Sequence, residues 1–135
     1  MDLDRFVAAQ DSVFDSVLAE LRAGAKRGHW MWFVFPQISG LGRSETARFY
    51  AIASRVEARA YLAHPVLGPR LAAAVDAIMA ARGSAEDILG SIDAIKLRSS
   101  MTLFEQVADK PATFARVLDR FYEGARDTAT LARLG

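Results

Sequence analysis

A chain of 135 residues, 52% apolar and 24% charged with a formal net charge of +1, has the composition of one folded globular domain. That balance excludes a disordered polypeptide and a fibrous repeat, and it argues against a dedicated basic nucleic-acid domain. The lack of cysteine excludes disulfides, thiolate metal sites and cysteine nucleophiles.

Asp2, Asp4, Asp11 and Asp15 interrupt the apolar positions of the first twenty residues, so no signal peptide is read there and a cytoplasmic location is expected. No apolar run approaches the roughly 18 residues that cross a bilayer, and no membrane partner is expected. Residues 4–23 carry Phe6, Gln10, Val13, Phe14, Val17, Leu18 and Leu21 at steps of three and four, which predicts one amphipathic helix. Asp2 or Asp4 is expected to cap its start and Gly24 to stop it.

Residues 25–43 are irregular in pattern. Trp30–Phe35 reads equally as a short buried strand or a helical turn, and Pro36 ends either. Ser44 and Glu45 open a helix bearing Ala47, Phe49, Tyr50 and Ile52. Ser54-Arg-Val-Glu57 is a capping box for a short helix to Ala63. After the His64-Pro65 junction, Leu67, Leu71, Ala74, Val75, Ile78 and Met79 carry a helix to Arg82, closed by Gly83. Ser84 starts a short helix that ends at Gly90. Ser91 is expected to cap a long helix from Ile92 to about Ala108, with Ile92, Ile95, Met101, Phe104 and Val107 among its apolar positions. Pro111 opens a helix that ends at Gly124, and Asp127 caps a last turn or two. The fold class is therefore all-α: a single compact domain over residues 1–135, of seven or eight helices with one irregular aromatic and glycine-rich segment. No linker or internal repeat marks a second domain.

Chemistry is most concentrated between Gly28 and Ser44. Residues 21–59 carry seven basic side chains against Glu45 and Glu57, a local charge of +5, and they enclose Trp30, Trp32, Phe33 and Phe35. Gly40-Leu-Gly-Arg43-Ser44 offers backbone amides and a guanidinium to an anion, or simply shapes a turn capped by Ser44. The aromatic group reads as core, or as a stacking surface if Trp30 or Trp32 stays open. The polar centre of the long helix, Asp93 to Glu105, reads mainly as solvated ion pairs and helix-bracing hydrogen bonds, with Lys96 and Arg98 as the alternative ligand contacts. A Lys96 and Ser100 pair has the spacing of a nucleophile with its activating amine, the least favoured reading. His29 and His64 stand thirty-five residues apart with no helical spacing to a carboxylate, so no metal site is read, and no cofactor. His29 is the better acid, base or phosphate donor.

Lys26-Arg-Gly-His-Trp-Met-Trp-Phe-Val-Phe-Pro-Gln37, Gly40-Leu-Gly-Arg-Ser44, Tyr61-Leu-Ala-His-Pro-Val-Leu-Gly68 and Lys96-Leu-Arg-Ser-Ser-Met-Thr-Leu-Phe104 resemble the motifs of a bacterial family of unknown function, number 1810. The likeness covers nearly the whole chain. It implies a mainly helical stand-alone bacterial domain and no particular reaction. The label calpastatin, which some members carry, denotes a long disordered inhibitor and does not fit this apolar content and these caps. A fainter similarity, by helical character and tryptophan-bearing motifs, is to helical proteins that handle ADP-ribose-like or riboflavin-intermediate N-glycosides; it is analogy alone.

The expectation is a pocket between residues 26–44 and the 96–105 helix that takes a small anionic, nucleotide-like ligand. Lys26, His29, Arg43, Ser44, Lys96 and Arg98 hold negative charge there, and Trp30 or Trp32 stacks. Any reaction would be hydrolysis of a nucleotide or glycosidic derivative, with Glu105, Asp93 or His29 as catalytic candidates. The alternatives are a non-enzymatic module whose tryptophans and arginines anchor a protein partner, and a weak single-strand nucleic-acid binder.

Overall fold

Gln10 and Val17 lie on one predicted helix, yet they bury against different neighbours. The computed structural model, which describes residues 2–135, resolves this by breaking the helix at Ser12 and Val13 into α1 (Asp4–Asp11) and α2 (Phe14–Ala23). α1 packs against α3 (Met31–Val34), where the Gln10 amide donates to Phe33 O at 2.6 Å and to the Tyr61 hydroxyl at 3.0 Å. α2 packs against α6 (Leu67–Ala80) through Val17 and Leu21. Neither Asp2 nor Asp4 caps α1: its N-cap is Leu3, with no side-chain hydrogen bond. Gly24 does end α2, in the left-handed conformation at φ 72°.

The ambiguous Trp30–Phe35 stretch is a single helical turn, α3. The split of the first helix and this turn raise the expected seven or eight helices to ten among the described residues. α4 (Glu45–Phe49) and α5 (Arg55–Ala63) start at Ser44 and Ser54, whose hydroxyls accept from the third amide of each helix. Glu57 reaches back one residue further than a capping box requires, to Ala53 N at 2.8 Å, and also pairs with Arg5 at 3.5 Å. The His64 ring caps the start of α6 through Nδ1, which accepts from Val66 N at 3.1 Å and Leu67 N at 3.3 Å. The extended pieces between helices meet in one isolated parallel bridge, Ile38 to Ile52.

α7 (Ala85–Leu89) carries a complete Ser84–Asp87 capping box. Gly90, at φ 87°, then turns the chain into α8 (Ser91–Val107), so the N-cap of α8 is this glycine and not Ser91. α8 is the axis of the molecule and packs against α5, α7, α9 (Ala112–Tyr122) and α10 (Thr128–Leu134). Its charged residues do form ion pairs at the surface, but its hydroxyls are not solvated. Ser99, Ser100 and Thr102 are buried with Leu97, Met101, Leu103 and Phe104, whereas Ile92 and Ile95, expected inside, are 71% and 62% exposed.

Buried hydroxyls favour partners: Ser99 and Thr102 donate back to Ile95 O and Arg98 O of α8 itself and are joined by Asp127 at the start of α10, whereas Ser100 Oγ has no partner among the described residues. Asp127 Oδ2 accepts from Ser99 Oγ at 3.0 Å and from Thr130 N at 3.2 Å, while Asp127 N donates to Thr102 Oγ1 at 3.0 Å. One carboxylate thus caps α10 and fastens it to α8. Asp127→Ala is expected to lower the unfolding free energy by about 2 to 4 kcal/mol in urea denaturation, and Asp127→Asn by about half as much. An alanine variant with the wild-type urea midpoint would show that α10 is held some other way.

Candidate functional site

The segment after α2 is shaped by a carboxylate in an unfavourable place. Glu20 lies in the last turn of α2, where the helix dipole repels negative charge, so its side chain has reason to find donors elsewhere. Its Oε1 accepts from Arg27 N at 2.6 Å, Gly28 N at 2.9 Å and Trp30 Nε1 at 3.0 Å. Burial alone would raise this carboxyl, but the backbone donors, the indole N–H and the nearby Lys26 charge outweigh it and hold the group below its ordinary 4.5. Gly28 is required at the turn because a side-chain carbon there would run into the Trp30 ring. Lys26 N, donating to Ile88 O at 2.8 Å, ties the same segment to α7.

These contacts bring residues 26–32 against the start of α8. The Lys26 side chain is only 9% exposed; its ammonium donates to Gly28 O at 2.6 Å, lies 3.0 Å from Asp93 Oδ2 and sits 5.1 Å from the centre of the Trp30 ring. The other oxygen of Asp93 lies 3.5 Å from Lys96 Nζ, which is 4.9 Å from the centre of the Trp32 ring. Asp93 therefore bridges two ammonium groups, each over an indole, an arrangement that satisfies both lysines electrostatically. Beside it opens a hollow of about 300 Å³ lined by Lys26, His29, Trp32, Gly90, Ile92 and Asp93. Its far wall is the first turn of α8, whose N-cap has no side chain to cover the helix's leading amides.

Of the residues expected in one pocket, Lys26, His29, Trp32, Asp93 and Lys96 come together. Trp30 is nearly fully buried with its N–H on Glu20, so its ring belongs to the core. Arg98, two residues from Lys96, projects the other way around the helix to Asp127 at 3.7 Å and lies over Tyr122. Glu105 is held by Arg126, whose Nε donates to it at 2.9 Å and whose second nitrogen also reaches it. Ser100 is fully buried, which removes it as a partner for Lys96 in nucleophilic chemistry. Arg43 and Ser44 are exposed on the loop before α4, where Ser44 serves as the cap. That loop borders a separate space of about 60 Å³ between Trp32, Tyr50 and residues 37–42. Its glycines are spoken for by packing: a side chain on Gly40, at φ 97°, would strike the Arg133 guanidinium, and one on Gly42 would strike Ala47.

Sequence reasoning missed Glu20, whose signal was a carboxylate at the wrong end of a helix, and Gly90, which read only as a stop for α7.

The sequence model of a protein family of unknown function, DUF1810, matches residues 1–134. Among solved structures, the chain is similar to the conserved hypothetical protein Rv1873 from Mycobacterium tuberculosis. The two share 51% identity and superpose with a TM-score of 0.96, over 98% of this chain and 96% of that one. No curated protein matches the chain. Among the described residues no helix is long and apolar enough to cross a membrane.

Because the folded carboxyl of Glu20 titrates below its unfolded value, its stabilisation is complete above about pH 4.5 and is lost as pH falls through the folded pKa. Thermal melts across that acid range are expected to show a loss of stability in the wild type that Glu20→Gln reduces. Parallel pH profiles for the two proteins would show that the segment does not depend on this carboxylate.

Proposed function

The chain belongs to the DUF1810 family of proteins of unknown function, and within that family we propose that it binds a small anionic, nucleotide-like ligand in the hollow between residues 26–32 and the start of α8. The observation that carries this reading is the Lys26 ammonium lining a hollow with an accessible indole wall, beside Asp93, whose other oxygen faces Lys96. Lys26, His29 and the leading amides of α8 receive the negative charge. Trp32, half-buried beside Lys96, offers its ring to a flat moiety. At about 300 Å³ the space matches the lower end of the range of small-molecule sites.

Binding is favoured over hydrolysis. Of the carboxylates considered for positioning water, Glu105 is committed to Arg126, and both oxygens of Asp93 face ammonium groups. A second reading, a protein partner docked over the same edge, is supported by the exposed Ile92 and Ile95 one turn apart on α8. The +1 net charge gives a nucleic-acid partner no comparable support.

Calorimetric titration with ADP and with inorganic pyrophosphate tests the ligand reading. Both are expected to bind and to raise the melting temperature. Lys26→Met is expected to weaken both about tenfold or more, as loss of a charge-assisted contact does. Trp32→Ala is expected to weaken ADP about tenfold and leave pyrophosphate unchanged, because only the nucleotide has a ring to stack. No binding of either probe, with Ile92→Ser impairing capture of a protein partner, would transfer the assignment to the second reading.

A further inference from the structure

We propose that Asp93 is the resting counter-ion of this hollow: an internal carboxylate that an incoming anion displaces from Lys26 and Lys96, so that the empty site restrains its own affinity. The inference rests on the reading of the hollow as an anion site and adds how that site is regulated.

Asp93 is the third residue of α8, a position from which a short carboxylate ordinarily serves the open amides at the helix start. Here its two oxygens divide between two cations, Lys26 at 3.0 Å and Lys96 at 3.5 Å. Lys26 explains why. An ammonium group on a side chain only 9% exposed is costly without a negative charge in contact with it; Gly28 O supplies only a dipole, and Glu20, the other carboxylate nearby, is turned to Arg27 N, Gly28 N and Trp30 Nε1. The protein therefore carries its own anion, located where Lys26 lines the hollow, with Lys96 behind it on the carboxylate's other oxygen.

An ammonium group has three donors. Lys26 spends one on Gly28 O and directs another at Asp93, and a ligand phosphate that takes over the second makes the internal carboxylate redundant. Asp93 has somewhere to go. Its side chain is 19% exposed, at the rim of the hollow, and the first turn of α8 favours negative charge in any orientation it adopts there. The cost of that displacement is subtracted from the ligand's intrinsic affinity, as for any binding-competent state that must first be populated. Asn in place of Asp93 keeps the shape and removes the competitor.

Titration of wild type and Asp93→Asn with pyrophosphate is the test, with folding of each checked by circular dichroism. The variant is expected to bind about tenfold more tightly, and pyrophosphate is expected to raise its melting temperature by more than it raises that of the wild type. The unliganded variant is expected to melt below the wild type, because Lys26 has lost its counter-ion. Equal or weaker binding by a folded Asp93→Asn overturns the inference and leaves the anion site standing. Absence of binding by both proteins overturns the anion site and this inference with it. In the wild type, saturating pyrophosphate is expected to move the carboxyl carbon resonance of Asp93; an unmoved resonance in a protein that binds pyrophosphate also overturns the inference, without recourse to any variant.

Discussion

α8 is buried on most of its circumference, and the fold follows from what that demands. Along Leu97–Phe104 a helix carrying Ser99, Ser100 and Thr102 lies inside the core, and for Ser99 and Thr102 the elements around it bring a polar partner as well as apolar surface. α10 brings Asp127; Tyr122 on α9 donates its hydroxyl to Ala94 O. Burial pushes the Tyr122 phenol well above its ordinary range, which keeps it a neutral donor. The same logic operates at the other end of the core. There Tyr61, also held neutral by burial, and Gln10 satisfy one another and Phe33 O where α1 meets α3. These pairings fix which way each helix faces, something apolar packing alone leaves loose.

The candidate site exists because α8 changes character along its length. From Leu97 to Phe104 it is largely enclosed; before that, its start emerges with Ile92 and Ile95 exposed and Asp93 directed at two lysines. The loop that meets it owes its shape to Glu20, which collects three donors from Arg27, Gly28 and Trp30 and so commits the Trp30 ring to the core. Trp32, two residues on, is left on the open side. One carboxylate thus determines which of two neighbouring tryptophans is structural and which is available.

Helix positions were legible in the sequence wherever a side chain had one local task. Ser44, Ser54, Ser84 and Asp127 cap the helices their spacing predicted, and Gly24 stops α2. The break at Ser12 was not legible, because the apolar spacing runs on through it and only the separate destinations of Gln10 and Val17 require it. Helical periodicity failed on α8 for the opposite reason. A helix with neighbours on nearly every side shows no clean polar face, and its hydroxyls imitate a solvated stripe. Of the site, the meeting of residues 26–32 with Lys96 was legible as two unusual stretches. The partition of their members was not, since it depends on Asp127 drawing Arg98 away and Arg126 drawing Glu105 away, both contacts across more than twenty residues.

The charges on α8 make the partition a matter of geometry. Residues two apart on a helix point about 200° apart, so Lys96 and Arg98 cannot serve one small ligand unless it wraps the helix. Asp93 and Lys96, three apart, share a face, and among the described residues Lys26 is the cation from outside the helix that pairs with Asp93 there, its side chain buried. A buried lysine needs a negative charge at hand, and Asp93 supplies it from within the protein. The fold therefore gives one carboxylate two tasks: Asp93 neutralises the enclosed Lys26 ammonium, and by doing so it joins the first turn of α8 to the segment that Glu20 shapes.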